Sequence, residues 1–217
     1  MPVAFFDLDG TLSSLPASEA LLVGLMLREG HLGPNQMAAA ALNHLRLLPL
    51  GFGVAMRLNK GYVAGLTVEK IEELGRRVAD ILIARHMRPT VLRRLDEHRA
   101  AGEIAVLITG SPDFVAAPLA RALGIGHCIA TICPQDAGRF VADPPINQPF
   151  GGAKLDLARA FCVERGLPLN ECAAYADSLS DVPLLAAVGR PVAVWPDHCL
   201  RRLAEMRDWP IMGAASQ

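Results

Sequence analysis

Val3-Ala4-Phe5-Phe6-Asp7-Leu8-Asp9-Gly10-Thr11-Leu12 is the stretch that decides the fold. Its first four residues are continuously apolar. A half-buried strand would alternate, so this run reads as a strand buried on both faces, the habit of parallel sheets. It runs directly into two carboxylates, Asp7 and Asp9. Two later apolar runs also end in polar groups: 104–108 in Thr109-Gly110-Ser111-Pro112, and 173–176 in Asp177, with Asp181 four residues on. Ligands of open parallel sheets bind beyond the carboxyl ends of the strands. These residues are therefore expected to converge on one crevice. Lys154, near the start of a helix running to Gly166, is placed to reach the same crevice.

Outward from these runs the chain alternates helix and strand. A helix is expected from Pro89 to about Ala101, closed by Gly102. Ser111 and Pro112 suit the N-cap and first position of a helix ending near Gly124. Residues 129–132 and 192–194 read as further short strands, and Asp136-Ala137-Gly138 as a hairpin turn. Residues 17–88 differ, being helical in pattern throughout. They are broken at Gly33-Pro34 and at Leu48-Pro49-Leu50-Gly51. Thr67 is placed to cap a long helix with the apolar stripe Val68, Ile71, Leu74, Val78, Ile81 and Leu82. The expected architecture is α/β: a Rossmann-like parallel-sheet core of residues 1–14 and 89–217, with an all-helical domain inserted at 15–88. Ordinary connections are far shorter, so the insertion is expected to cover a site.

Composition narrows the function classes. The 217 residues include 21 Lys plus Arg and 22 Asp plus Glu, for a net charge of −1. This balance excludes a general nucleic-acid binder and a polybasic membrane anchor. With 52% hydrophobic and 20% charged residues the chain is globular. Five cysteines without a CxxC pair read as reduced, mostly buried thiols, and the histidines lack zinc-ligand spacing. Asp7 interrupts the N-terminus before any signal-peptide core forms, so a cytoplasmic protein is expected. Residues 36–58 are the most apolar stretch. Their longest uncharged run, 47–56, is well short of the roughly 18 residues that span a bilayer. No transmembrane segment is expected. This stretch is expected to pack mainly within the insertion's own core, with peripheral membrane contact as the alternative. His44 and Arg46 suit either substrate contact beneath the insertion or a surface position.

The converging residues limit the chemistry. Clustered carboxylates repel and call for a cation between them. All-oxygen ligation suits Mg²⁺ shared with a phosphate. A lysine and the amides of the turn at Gly110 can hold the remaining phosphate oxygens. One carboxylate can attack phosphorus, while a second, protonated, supplies the leaving alkoxide with its proton and then serves as base toward water. Asp7 and Asp9 can divide these roles if their environments push their pKa values apart.

Phe6-Asp7-Leu8-Asp9-Gly10-Thr11-Leu12 resembles the DxDGTL signature of the haloacid dehalogenase (HAD) superfamily. Leu107-Ile108-Thr109-Gly110-Ser111-Pro112 resembles its second motif, Lys154 in Gly151-Gly152-Ala153-Lys154 its third, and Asp177-Ser178-Leu179-Ser180-Asp181 its fourth. The four occur in order along the chain. The helical insertion after the first motif resembles the cap of the phosphoserine-phosphatase-like branch. The resemblance implies a phosphatase, a phosphoric monoester hydrolase with Mg²⁺ as cofactor. Asp7 would be nucleophile and metal ligand. Asp9 would be the general acid/base and would give the metal its backbone carbonyl. Thr109 and Gly110 would bind phosphate, and Lys154 would bind it and neutralise developing charge. Asp177 would be a further metal ligand, and Asp181 would support the site from behind.

The implied substrate is a small phosphorylated metabolite such as histidinol phosphate or phosphoserine. Phosphoserine phosphatases typically carry DxDST and an acid nine residues after the nucleophile; here Gly10 and Pro16 stand at those places, and Glu19 is the nearest acid. Part of the chain also resembles lipid-phosphate phosphatases acting on phosphatidylglycerophosphate, whose cap enters the membrane. The same motifs fit a phosphotransferase, or a non-catalytic protein that binds a phosphate ester. A dehalogenase is disfavoured because Asp9 is present. The chain is expected to be a monomer or a homodimer.

Overall fold

The apolar runs become strands. In the computed structural model, which describes residues 2–213, these are β1 (Val3–Phe6), β2 (Ile104–Pro112), β3 (His127–Thr131), β4 (Gln135–Asp136), β5 (Arg139–Phe140), β6 (Ala173–Ala176), β7 (Arg190–Val194) and β8 (Ile211–Met212). Six form one parallel sheet in the order β3-β2-β1-β6-β7-β8. The α/β expectation holds, and β1 lies in the middle of the sheet with all four residues buried. Phe6 is in register with Leu107 on one side and Tyr175 on the other. The strands carrying Asp7, Thr109 and Asp177 therefore end side by side. β4 and β5 form the expected hairpin, with Ala137 and Gly138 both at positive φ in the two-residue turn.

One boundary differs. β2 continues through Ser111 to Pro112, with a register irregularity after Ile108, and the next helix starts at Asp113 with Pro112 as its N-cap residue. Ser111 does not cap that helix because its hydroxyl bonds Asp9 instead.

The helices are α1 (Ser18–Arg28), α2 (Pro34–Leu47), α3 (Phe52–Leu58), α4 (Val68–Arg85), α5 (Pro89–Ala100), α6 (Asp113–Ala122), α7 (Gly152–Val163), α8 (Val182–Leu185) and α9 (His198–Met206). The first five lie between β1 and β2 in the chain, α1 to α4 within residues 18–85. Pro34 opens α2, and Thr67 caps α4 through a hydrogen bond from the Lys70 amide. The α4 stripe buries Ile71, Leu74, Val78 and Leu82.

Alternation along β1 divides the core into two layers. Phe6 joins Leu107, Phe114 and the stripe of α4 on one face of the sheet; Phe5 joins Val106, Ile108 and Phe161 on the other. The insertion thus shares a core with the sheet face beneath α6. Gly75 permits this approach, since a Cβ there would lie 1.8 Å from the Phe114 carbonyl oxygen.

Residues 36–58 correct an expectation. They do not form an internal core. Only Asn43, Leu47 and Ala55 are buried there, while Leu42, Leu45, Leu50 and Phe52 are exposed. The inner contacts of α2 are small or polar: Ala39 and Ala40 lie against Gly61, and Asn43 bonds Asn59. Apart from Leu47, the large apolar side chains of α2 and the following turn are left mostly on the outside.

Gly75→Ala should destabilise the protein by about 1–3 kcal/mol, because the α4 and α6 backbones must separate. Urea unfolding tests this. An unchanged midpoint would mean that the two helices are not held at this distance.

Candidate active site

β1 delivers Asp7 to the end of the sheet, where its amide donates to the Tyr175 carbonyl of β6 at 3.0 Å. Asp7 is nearly buried, and so is Lys154 in the first turn of α7. The Lys154 ammonium donates to Asp7 Oδ1 at 2.7 Å and to Asp181 Oδ1 at 2.6 Å. Asp177, after β6, completes the group: carboxylate oxygens of Asp7, Asp177 and Asp181 lie within 4.8 Å of one another. One lysine does not balance three carboxylates, and an all-oxygen set of this size fits a hard divalent cation such as Mg²⁺. Asp181, expected to support the site from behind, lies within this cluster.

The pKa shifts follow from this crowding. Burial, reinforced by Asp181 and Asp177 and opposed by Lys154, raises Asp7 well above the usual carboxylate range. Burial and the Asp181 charge push Asp177 up to about 6. Burial disfavours the charge on Lys154, but Asp181 and Asp7 together outweigh it and its pKa is raised.

Gly10 is required twice over. Its φ of 77° lies in the left-handed region, and a Cβ would sit 2.0 Å from Asp177 Oδ2. The glycine at this place therefore admits the third carboxylate.

Asp9 has a different environment. Its carboxylate accepts hydrogen bonds from the Ser18 amide at 2.6 Å, from the Ser18 hydroxyl at 3.2 Å and from the Ser111 hydroxyl. Burial raises its pKa, opposed by these same hydrogen bonds. The two carboxylates of the first motif thus belong to separate networks, the first paired with lysine and the second held by hydroxyl and amide donors. Thr109 is buried, and its hydroxyl accepts from the Ser111 amide at 3.1 Å.

The motif residues singled out in the sequence, Asp7, Asp9, Thr109, Gly110, Lys154, Asp177 and Asp181, line one cleft of about 370 Å³. Other lining residues were not anticipated. The insertion contributes Met56, Arg57 and Lys60, and the segment before α7 contributes Gln148, Pro149 and Phe150. No motif marks them, because they meet the motif residues only through tertiary packing of segments distant in sequence. Glu19 also reaches it. One carboxylate oxygen of Glu19 accepts from the Lys60 ammonium and the other from the Tyr62 hydroxyl. His44 and Arg46 do not line the cleft: His44 meets Phe52 edge-on and Arg46 is exposed. Behind the site, Arg88 donates to the Gly10 carbonyl at 3.2 Å and lies over the Trp195 ring. A lone arginine between two helices gives no sequence signal for such a contact.

Lys154→Met should lower the stability of the metal-free protein by about 3–5 kcal/mol, because it leaves two buried carboxylates without their partner. Millimolar Mg²⁺ should restore part of the loss. Thermal melts with and without Mg²⁺ read this, and an unchanged metal-free melt would contradict it.

Comparison with known proteins agrees with this geometry. Residues 4–186 match the family model for haloacid dehalogenase-like hydrolases. Phosphoserine phosphatase SerB1 of Mycobacterium tuberculosis is 31% identical over 96% of this chain and 69% of its own length. A histidinol-phosphatase of Neisseria meningitidis is 24% identical over 97% of both. A Bordetella pertussis protein of unknown function, solved by crystallography, superposes with a TM-score of 0.82 at 29% identity, covering 98% of each chain. The chain belongs to the haloacid dehalogenase-like hydrolases, as an enzyme resembling their phosphoserine-phosphatase-like branch.

Proposed function

We propose that the protein is a Mg²⁺-dependent phosphomonoesterase that works through an aspartyl-phosphate on Asp7. The observation that carries this reading is the division of the two first-motif carboxylates between different environments in one cleft. Asp7 sits against Lys154 and the carboxylate cluster, and Asp9 sits among the hydroxyl and amide donors of Ser18 and Ser111.

An Asp7 oxygen attacks phosphorus and the ester P–O bond breaks. Asp9, whose pKa burial raises above its ordinary value, gives its proton to the departing alkoxide. As a carboxylate it then takes a proton from the water that attacks the aspartyl-phosphate. Inorganic phosphate leaves and Asp7 is restored. The Thr109 hydroxyl and Gly110 amide hold phosphate oxygens, and Lys154 neutralises the charge that develops on them. Asp7, Asp177 and the Asp9 backbone carbonyl would hold Mg²⁺, with Asp181 beside them. Bound there, Mg²⁺ offsets the repulsion between the phosphate and the attacking carboxylate.

The substrate class that fits is a small phosphorylated metabolite such as phosphoserine or histidinol phosphate. Both are named in relatives, and both leaving groups carry an ammonium. Glu19 lines the insertion side of the cleft, paired there with Lys60 and Tyr62.

Asp7→Asn should reduce phosphate release to background while the fold survives, read as EDTA-sensitive turnover beside a thermal melt. Appreciable residual activity would falsify the nucleophile assignment. Asp9→Asn should slow alkyl phosphates by roughly 10²–10⁴-fold and p-nitrophenyl phosphate much less, because p-nitrophenolate departs without a proton. Equal losses on both would rule out the proton-donor role.

A further inference from the structure

The surface formed by α2, α3 and the turn between them is apolar, exposed and one-signed in charge. Leu45, Leu50 and Phe52 are 62%, 60% and 69% exposed, and residues 48–53 are exposed without interruption. Scattered apolar side chains on a surface mean little. A continuous set is different, and marks an interaction face.

The charge around this face is equally uneven. No Asp or Glu occurs between Glu29 and Glu69, although the whole chain is close to neutral. The exposed cations beside the apolar turn are Arg46 and Arg57. Neither forms an ion pair among the described residues, and Arg57 lies over the Phe150 ring at the cleft edge.

We propose that this face docks on an anionic lipid bilayer, with Leu45, Leu50 and Phe52 entering the interface and Arg46 and Arg57 meeting the headgroups. The argument is charge complementarity. Two copies of the chain meeting through this face would set arginine against arginine with no acid to balance them. An anionic membrane surface supplies apolar depth and negative charge together, which is what an interfacial helix with a cationic rim selects. No helix of the described residues is long and apolar enough to cross a membrane, so the contact is peripheral. Met56 and Arg57 belong to α3 and also line the cleft. A docked molecule would therefore hold its cleft mouth beside the lipid headgroups.

Co-sedimentation with vesicles tests this without reference to catalysis. The protein should pellet with phosphatidylcholine vesicles that contain phosphatidylglycerol, and several-fold less with phosphatidylcholine alone or in high salt. Leu50→Asp combined with Phe52→Asp should weaken binding by about tenfold or more. Arg46→Glu should remove the preference for phosphatidylglycerol. None of these side chains lines the cleft, so turnover of p-nitrophenyl phosphate should be unchanged in both variants and reports that they are folded. Failure of the wild type to pellet with anionic vesicles, or undiminished binding by the double variant, would overturn the proposal. So would a dimer that Phe52→Asp disperses, because the face would then belong to a second copy. A wild type that pellets but hydrolyses no phosphate ester would leave the docking intact and count against the catalytic reading alone.

Discussion

Three carboxylates and one lysine crowded at the end of a parallel sheet are the constraint on which the rest of this structure depends. Strand register brings them together, with Phe6 level with Leu107 and Tyr175. Phe6 and Tyr175 also stack with ring centroids 4.7 Å apart. Once β1 and β6 are in register, Asp7 and Asp177 cannot avoid each other, and Lys154 and Asp181 follow from the helices that begin beside them. The charge imbalance is costly in isolation. It persists because the apolar layers on both faces of β1 fix the strands more firmly than the carboxylates can push them apart.

The same constraint explains the backbone around the site. Gly10 leaves the room that Asp177 fills, and Arg88 anchors the Gly10 carbonyl from behind. Arg88 lies where the chain returns from the insertion. There its amide bonds the Leu12 carbonyl, and the Ser14 amide bonds the carbonyl of His86. The two strands of chain that enter and leave the insertion are thus tied together directly behind the loop that carries Asp7 and Asp9.

The insertion is held at both ends of its reach. Near the sheet, α4 meets α6 at Gly75. Farther out, the β4–β5 hairpin binds residues 65–68 through the Phe140 and Gly138 backbone. Across the cleft, Gln148 donates to the Arg57 carbonyl while Arg57 covers Phe150. These contacts bring Glu19, Arg57 and Lys60 into the cleft that the carboxylates also line.

Much of this was legible in the chain. The uninterrupted apolar runs identified buried parallel strands, because a strand covered on both faces has no polar side to show. The residues following those runs were legible as neighbours in one cleft, because parallel strands all point their carboxyl ends the same way. The helices α2 and α4 were legible from their period and from Pro34 and Thr67 at their starts. Three features were not. Ser18 and Ser111 meet on Asp9 across 93 residues of sequence. Glu19, Lys60 and Tyr62 meet across a turn with no regular spacing. Most large apolar side chains of residues 36–58 face outward, because mainly small and polar residues line their inner side. The sequence by itself determined which residues could be buried and which strand ends bring polar groups together, since both follow from local hydrophobic pattern. Only the tertiary structure decided which side chains share a hydrogen bond and which apolar face remains uncovered. Those outcomes depend on how helices distant in sequence pack against one another.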